Sequence, residues 1–439
     1  MSFASRGSNA SAASTVSRAS AAENPEMPAG NPIVLMSALA ILASMQVQAA
    51  DEPRPCAIDA DVKAPEWLTS CEAAIASETD AKRRAPLLFG RAYGAVEHFR
   101  YDDALTDLNA ALAADPENSD YLRERAFVHG ELSNFSEAIA DLDHFIKQHP
   151  NEPSGYRERA HARRYHADLK GAYEDSARVL ELTPNLPEAI LARAEAAIWI
   201  GKFDEATADA DRVQSRAQAF NEGELQGSAL DLMSRIKRWR DGSRGSGAAQ
   251  RCKESKDIRK GSASKLIGDC SRAFFEASTG AAKADALTTR SIAWLVIANS
   301  RTSATEDMKM AVAFDPANDE RHINLGYSYL ASDSSWAAIR EFDRVLSSDR
   351  HWLALAGRAA ARSNLGQNDG ALADALESLK LHPNEAATLV LADLAYQQGD
   401  RDRAREAYLA AYRLGSRNDR VIERLSELGV PDPAREIGK

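Results

Sequence analysis

The chain has little of what usually announces chemistry. Cysteine is scarce, with four in 439 residues, and none lies in a Cys-x-x-Cys pair or beside a histidine that would complete a zinc set. Aromatic residues make up only 7%, so helices here must pack largely through small side chains. There is no basic surplus: 54 Lys and Arg stand against 65 Asp and Glu, for a net charge of −11, which speaks against a general nucleic-acid binder. Long hydrophobic runs are missing apart from one, and the mean hydropathy of −0.41 excludes a polytopic membrane protein. The sequence contains no His-Glu-x-x-His, no Gly-x-Ser-x-Gly and no phosphate loop, since Gly201-Lys202 lacks the upstream glycine. His161 and His166 are five apart, off the spacing of four that would aim both at one metal. The expectation is a non-enzymatic protein with no cofactor and no metal. What is present in quantity is alanine, leucine and charge of both signs. A 44% hydrophobic fraction is ample for burial and excludes disorder throughout.

The first fifty residues read as an address. Residues 1–32 are rich in Ser, Ala, Gly and Asn with no apolar period, so a disordered leader is expected. Ile33 to Met45 is a thirteen-residue apolar stretch, closed by Val47-Gln-Ala-Ala50 and followed by Asp51. A short apolar core ending in small residues is the pattern of a secretory signal, with cleavage after Ala49 or Ala50. A spanning helix needs about twenty apolar residues, so the run is short for one. Its basic residues, Arg6 and Arg18, lie far upstream. Two alternatives stay open on that account: a start further along at Met27, or an uncleaved anchor over residues 33–50.

The cysteines suit an exported chain. Cys56 and Cys71 are 15 apart, and Cys252 and Cys270 are 18 apart. In an oxidising compartment these read as two local disulfides, and otherwise as four buried thiols.

From Ala85 onward the sequence is repetitive. Ala104, Leu108 and Pro116 recur as Ala138, Leu142 and Pro150, then as Ala172, Ser176 and Pro184, at a period of 34. Ala206 and Ala210 continue the series, with Gln218 at the proline place. A second series follows: Ala304, Met308, Pro316; Ala338, Phe342, Arg350; Ala371, Ala375, Pro383; and Ala404, Tyr408. In His322–Tyr329 apolar and small residues recur at three and four, the helical period. Turns such as Gly201-Lys202 and Gly399-Asp400 break each unit into two helices, and Asp115-Pro116 or Asp315-Pro316 ends the second. This pattern resembles the tetratricopeptide repeat, best seen in Leu325-Gly326-x-x-Tyr329 with Ala338-x-x-x-Phe342, although His322 stands where that family often has Trp. The resemblance implies an all-α solenoid of helix-turn-helix units whose concave face grips peptides or extended partner segments.

Eight units cover about 85–220 and 285–418, and the two halves look duplicated, because Cys71 precedes Ala104 by 33 and Cys270 precedes Ala304 by 34. The expected organisation is a leader and signal or anchor over 1–50, a cysteine cap over 51–84, and a first array with its closing helix over 85–240. A hinge over 241–251, a second cysteine cap over 252–284, a second array with a capping helix over 285–430, and a tail over 431–439 follow. Capping helices are needed because a terminal repeat would otherwise expose an apolar face.

Charged residues follow the same period. Arg91, Arg125, Arg159 and Arg193 are spaced by 34, and Asp107, Asp141, Asp175 and Asp209 lie 16 after them. Arg358 and Asp374 form a fifth pair, while Leu391 and Ala407 lose both members together. Ser291 with Asp307 and Leu325 with Glu341 are partial exceptions. An Arg–Asp bridge between the two helices of each unit accounts for this ladder as structure rather than as a binding site. Partner-binding residues are expected instead on the groove side of each first helix. Arg123 and Arg157 lie two residues off the paired column, and Arg157, His161, Arg164 and Tyr165 can share one helical face. Glu195 and Trp199 continue the stripe on the next unit. Arginine beside aromatics suits a carboxylate-bearing peptide, with an ordinary solvated face as the other reading. The matching positions of the second array, Thr289, Ala293, Tyr327 and Ala360, are neutral.

One stretch runs against the acidic balance. From Arg235 to Lys265 eleven Lys or Arg face Asp241, Glu254 and Asp257, a surplus of eight. It reads as a solvated hinge, or as a contact for anionic lipid or cell-wall polymer. The sequence therefore points to a periplasmic or secreted interaction scaffold holding a protein or peptide partner. The alternative is an envelope assembly factor held in the inner membrane by residues 33–50 and facing the periplasm.

Overall fold

A computed structural model describes residues 56–57, 65–241, 247–254, 260–298 and 300–437. The leader and the apolar run at 33–50 lie outside the described residues. Among the described residues the regular structure is helical throughout, and the helices are arranged as consecutive antiparallel pairs. The first array comprises Ala81–Glu97 with Tyr101–Ala114, Ser119–Glu131 with Phe135–Gln148, Pro153–Tyr165 with Leu169–Leu182, and Pro187–Trp199 with Phe203–Phe220. The second comprises Gly280–Ala298 with Arg301–Phe314, Asp319–Ala331 with Ser335–Leu346, Trp352–Asn364 with Asn368–Leu381, and Glu385–Gln397 with Arg401–Arg413.

The repeated alanines explain why the pairs close. Ala104, Ala138, Ala172, Ala206, Ala304, Ala338, Ala371 and Ala404 are all buried, as are the residues four later, from Leu108 to Tyr408. A methyl side chain at the crossing lets two helix axes approach while a larger residue one turn on fills the space behind it. Phe342 shows the limit of that fit, because Gly326 and Gly357 flank its ring from two helices. A Cβ on either glycine would come within 2.6 or 2.2 Å of a ring carbon.

The turn inside each unit is equally periodic. Phe99, Ser133, Ala167 and Gly201 have positive φ and are 34 apart, and Asp333, Gly366 and Gly399 repeat the feature 33 apart. In each, the following N–H bonds the carbonyl five residues back, as in Asn134 to His129 at 2.8 Å, Asp168 to Arg163 at 2.8 Å and Gln367 to Arg362 at 2.9 Å. That six-to-one bond with a left-handed residue is the Schellman ending of a helix. Only part of the signal is visible as glycine, so the position is occupied by Phe99, Ser133, Ala167 and Asp333 against their preference. First helices restart on side-chain caps: Asn118, Asn318 and Asn384 accept from the N–H three residues on.

Both ends of the first array and the start of the second are closed as the solenoid requires. Cys56 and Cys71 form a disulfide, and Trp67 of helix Pro65–Ser77 lies over Gly94. A second disulfide joins Cys252 of Ala248–Glu254 to Cys270 of Lys260–Glu276. No cysteine is free. Helix Gly223–Asp241 packs on Phe203–Phe220 and on Lys260–Glu276. One hydrophobic core, containing Trp199, Trp239, Phe274, Trp294 and Met310, runs across the junction from one array into the next. Of the expected hinge, residues 242–246 lie outside the described residues, and 248–251 begin a helix. The far end is capped by Asp419–Glu427, and the expected tail contains a short helix, Pro433–Ile437, with Ile437 packed on that cap.

A solenoid unit ordinarily touches only its neighbours. Here helix Arg301–Phe314 of the second array contacts helix Pro153–Tyr165 of the first. The arrays therefore meet along a seam as well as through the junction.

Candidate functional site

The arginine column is placed against the aspartate column in one repeated geometry. In each of the five pairs the arginine donates twice, from Nε to Oδ2 and from Nη2 to Oδ1. Arg91 meets Asp107 at 2.7 and 2.6 Å, Arg125 meets Asp141 at 2.8 and 2.7 Å, and Arg159 meets Asp175 at 2.9 and 2.6 Å. Arg193 reaches Asp209 at 2.8 and 2.6 Å, and Arg358 reaches Asp374 at 2.8 and 2.7 Å. The aspartates are buried and the guanidinium groups only partly exposed. Bidentate geometry fixes orientation as well as distance, so each pair sets the angle between two helices. The ladder also crosses units. Arg125 Nη1 donates to Asn109 at 2.9 Å, Arg159 to Asp143 at 2.6 Å and Arg358 to Asp343 at 2.6 Å, each on the second helix of the preceding unit. A second arginine four residues on, Arg163 or Arg362, completes the acceptor set of Asp175 and Asp374.

Three partners of this kind escape the sixteen-residue rule. Asp307 is held by Arg290 rather than by a residue at 291, with bonds of 2.8 and 2.7 Å, and Arg290 also donates to Ser271 at 2.9 Å. Its side chain is fully buried, and its guanidinium lies 3.7 Å from the Trp239 ring centre. Glu341 is bonded by His322 Nδ1 at 2.7 Å, so the histidine at the usual tryptophan place is a hydrogen-bonding post. In the cap Arg251 grips Asp269 beside the Cys252–Cys270 disulfide, at the same separation of 18. A spacing search at 16 to 18, rather than at one value, would have found the first and the third.

The expected groove residues divide into two groups. Arg123 is half-buried and Arg157 is exposed, and neither makes a hydrogen bond or ion pair with a described residue. They stand 34 apart on adjacent first helices, Ser119–Glu131 and Pro153–Tyr165. The other five are turned inward, His161, Arg164 and Tyr165 at the seam and Glu195 and Trp199 toward the junction. Tyr165 Oη donates to Glu306 of the second array at 2.6 Å, Arg164 Nη2 donates to Tyr165 Oη at 2.8 Å, and Arg164 lies 3.4 Å from the same carboxylate. Lys309 approaches Glu306 to 3.4 Å from the other side. His161 packs edge-on to Tyr165, with ring centres 4.8 Å apart. Burial, with Arg164 and Lys309 close by, pushes the His161 imidazole down to about 3, so it is neutral at pH 7. Burial pushes the Glu306 carboxyl up, but Arg164, Lys309 and the Tyr165 hydroxyl outweigh it and hold it down at about 2.

Glu195 bridges Arg164 at 3.9 Å and Arg235 at 3.4 Å, and Trp199 is 2% exposed against Trp239 and Phe274. Trp199 is thus a core residue of the junction and not part of an open groove. One repeat's register gives the face of a helix, but not that a distant array will lie on it. The seam continues to Arg340, which lies 3.8 Å from Glu131 and 5.0 Å from the Tyr101 ring centre.

Of the basic stretch, Arg235 pairs with Glu195, Arg238 lies over Trp294 and Arg251 is taken by Asp269. Among the described residues no group of three His, Cys, Asp or Glu side chains is placed to hold a metal ion, and no helix is long and apolar enough to cross a membrane. Together the paired helices, the buried alanine column, the Schellman turns and the capped ends define an α-solenoid of tetratricopeptide type.

No protein-family model matches the chain, and no curated protein matches its sequence. Among solved structures, a tetratricopeptide repeat protein from Parabacteroides merdae is similar at 13% identity and a TM-score of 0.28, over 79% of this chain and 98% of that one. The Cut9–Hcn1 hetero-tetramer of APC/C is similar at 12% and 0.30, over 83% of this chain and 59% of the other. MamA is similar at 18% and 0.28, over 43% and 97%. Likeness at this level carries no functional argument.

Proposed function

We propose that the protein is a non-enzymatic, exported scaffold that holds an extended acidic segment of a protein partner along the first array's groove. One observation carries this reading. Arg125 and Arg159, two residues on along the same first helices, are each tied twice to an internal aspartate, whereas Arg123 and Arg157 stand in register with no ion partner among the described residues. A guanidinium left unpaired at the surface is suited to a carboxylate. The periodic helices supply a rigid rack, and a partner strand lying across it would meet an arginine on each of two successive units, at Arg123 and Arg157. Two disulfides favour an oxidising, extracytoplasmic compartment, periplasmic or outside the cell. The Ile33–Met45 run supplies the export signal, and if it is not cleaved the protein becomes a membrane-tethered assembly factor. The mass of the mature protein separates these two. Affinity capture from envelope extract tests the groove: Arg157→Glu should remove a protein from the captured set, and an unchanged set refutes the reading.

A further inference from the structure

The seam between the arrays has the composition of a binding site already filled. Glu306 reaches from helix Arg301–Phe314 into a cradle made by the first array. It receives the Tyr165 hydroxyl at 2.6 Å, faces Arg164 at 3.4 Å and is followed by Lys309 at 3.4 Å. Arg157, His161 and Arg164 lie on one face of a single helix, at i, i+4 and i+7. The open end of that face presents the exposed Arg157, and the closed end presents Arg164 to a carboxylate supplied by the chain itself. The cradle is not saturated, because Arg164 Nε is buried with no acceptor among the described residues.

We infer that Glu306 is a built-in competitor for the groove. An acidic partner segment engaging Arg123 and Arg157 displaces Glu306 from Arg164 and parts the two arrays at the seam. This rests on the groove reading above and adds its regulation.

The physical requirement is differential affinity: the partner must bind the parted state better than the closed one. The geometry meets it, since Arg164 is a new contact only once Glu306 has left. The seam is held by the Glu306 cluster, by Lys309 at 5.3 Å from the Tyr165 ring centre and by the longer Arg340–Glu131 contact at 3.8 Å, with Tyr165 also packed in the core that runs across the junction. Contacts to Arg123 and Arg157 are open in both states and cannot shift the balance; the difference arises at Arg164, whose buried Nε has no acceptor while Glu306 is in place and can gain one from an incoming carboxylate. The junction core around Trp239 and Phe274 keeps the arrays attached throughout.

The test uses the mature full chain and fluorescein-labelled decaglutamate, with decaglutamine as the uncharged control, read by fluorescence anisotropy. Glu306→Gln should tighten decaglutamate binding about fivefold or more, the lower end of ordinary coupling energies. Arg340→Gln, which loosens the seam without touching the cradle, should tighten it in the same direction. Arg157→Glu should weaken binding in every background. If Arg157→Glu weakens binding while Glu306→Gln and Arg340→Gln leave it unchanged, the competitor is refuted and the groove stands. If Arg157→Glu has no effect, or if neither the wild type nor Glu306→Gln binds the probe, the groove reading fails and takes the competitor with it. Should Glu306→Gln melt in circular dichroism, Arg340→Gln decides alone.

Discussion

Replacing Arg290 by methionine is the sharpest test of how the arrays are joined. The methionine keeps much of the apolar stem but removes three hydrogen bonds and the charge that sits 3.7 Å from the Trp239 ring centre. It leaves Asp307, 2% exposed, as a buried carboxylate. Breaking one side of such a pair is destabilising by about 3–5 kcal/mol, chiefly because the surviving charge has lost its partner. Burial already pushes the Asp307 carboxyl up, and Arg290 is the main influence pulling it down, so the variant should take up a proton at Asp307. Removing both charges is a different matter, since an apolar replacement of the whole pair is often close to neutral. Arg290→Met with Asp307→Leu should therefore lose less than Arg290→Met alone. Urea unfolding followed by the buried junction tryptophans and by circular dichroism would report both. If the two single losses add in the double variant, the pair is not coupled and the account of the junction is wrong.

Further expectations follow from the same geometry. Arg125→Ala and Asp141→Ala should lower the urea midpoint by similar amounts, and the double variant should fall short of their sum; simple additivity would reject the ladder. Ala167→Gly should stabilise by about 0.5 kcal/mol, the difference between relief of a left-handed alanine and the extra chain entropy of glycine, seen as a rise in melting temperature. Reducing the two disulfides should remove about 3 kcal/mol each in the chain-entropy model, and a melting temperature indifferent to reductant would contradict them. Acid should loosen the seam in two stages. His161 is held at about 3, well below its unfolded value near 6.5, so the unfolded chain takes a proton first and stability falls as pH drops below about 6.5, by at most about 1.4 kcal/mol per unit. Glu306, held at about 2, gives a contribution that is complete above about 4.5 and is lost between there and 2. His161→Gln should flatten the first stage, and an unchanged slope between pH 6.5 and 5 would show that another group is responsible.

The repeat was legible because its signals are local. A buried alanine recurs at each helix crossing, and the arginine and aspartate columns bridge helices only 16 residues apart. Arg290 was harder to read, because the donor to Asp307 stands at 290, 17 residues before it, and not at the 291 that the sixteen-residue spacing marks. The turn position was only half legible, since Phe99, Ser133 and Ala167 occupy a conformation that sequence reasoning assigns to glycine. The seam was not legible at all. Tyr165 and Glu306 are 141 residues apart, and nothing in a nearest-neighbour solenoid predicts that they meet. For that reason a stripe reading as one groove, from Arg157 to Trp199, is divided between an open end, a self-contact and a buried core. Composition carried less than it promised: much of the charge behind the −11 is committed to internal pairs.

We propose that the open stretch around Arg123 and Arg157 grips a partner. A photoreactive benzoylphenylalanine at Asp120, exposed and one turn before Arg123, tests it inside the cell. The account predicts a discrete protein adduct on irradiation that disappears when Arg157→Glu is added. An adduct that survives Arg157→Glu, or none from this position while the protein is folded and exported, would contradict it.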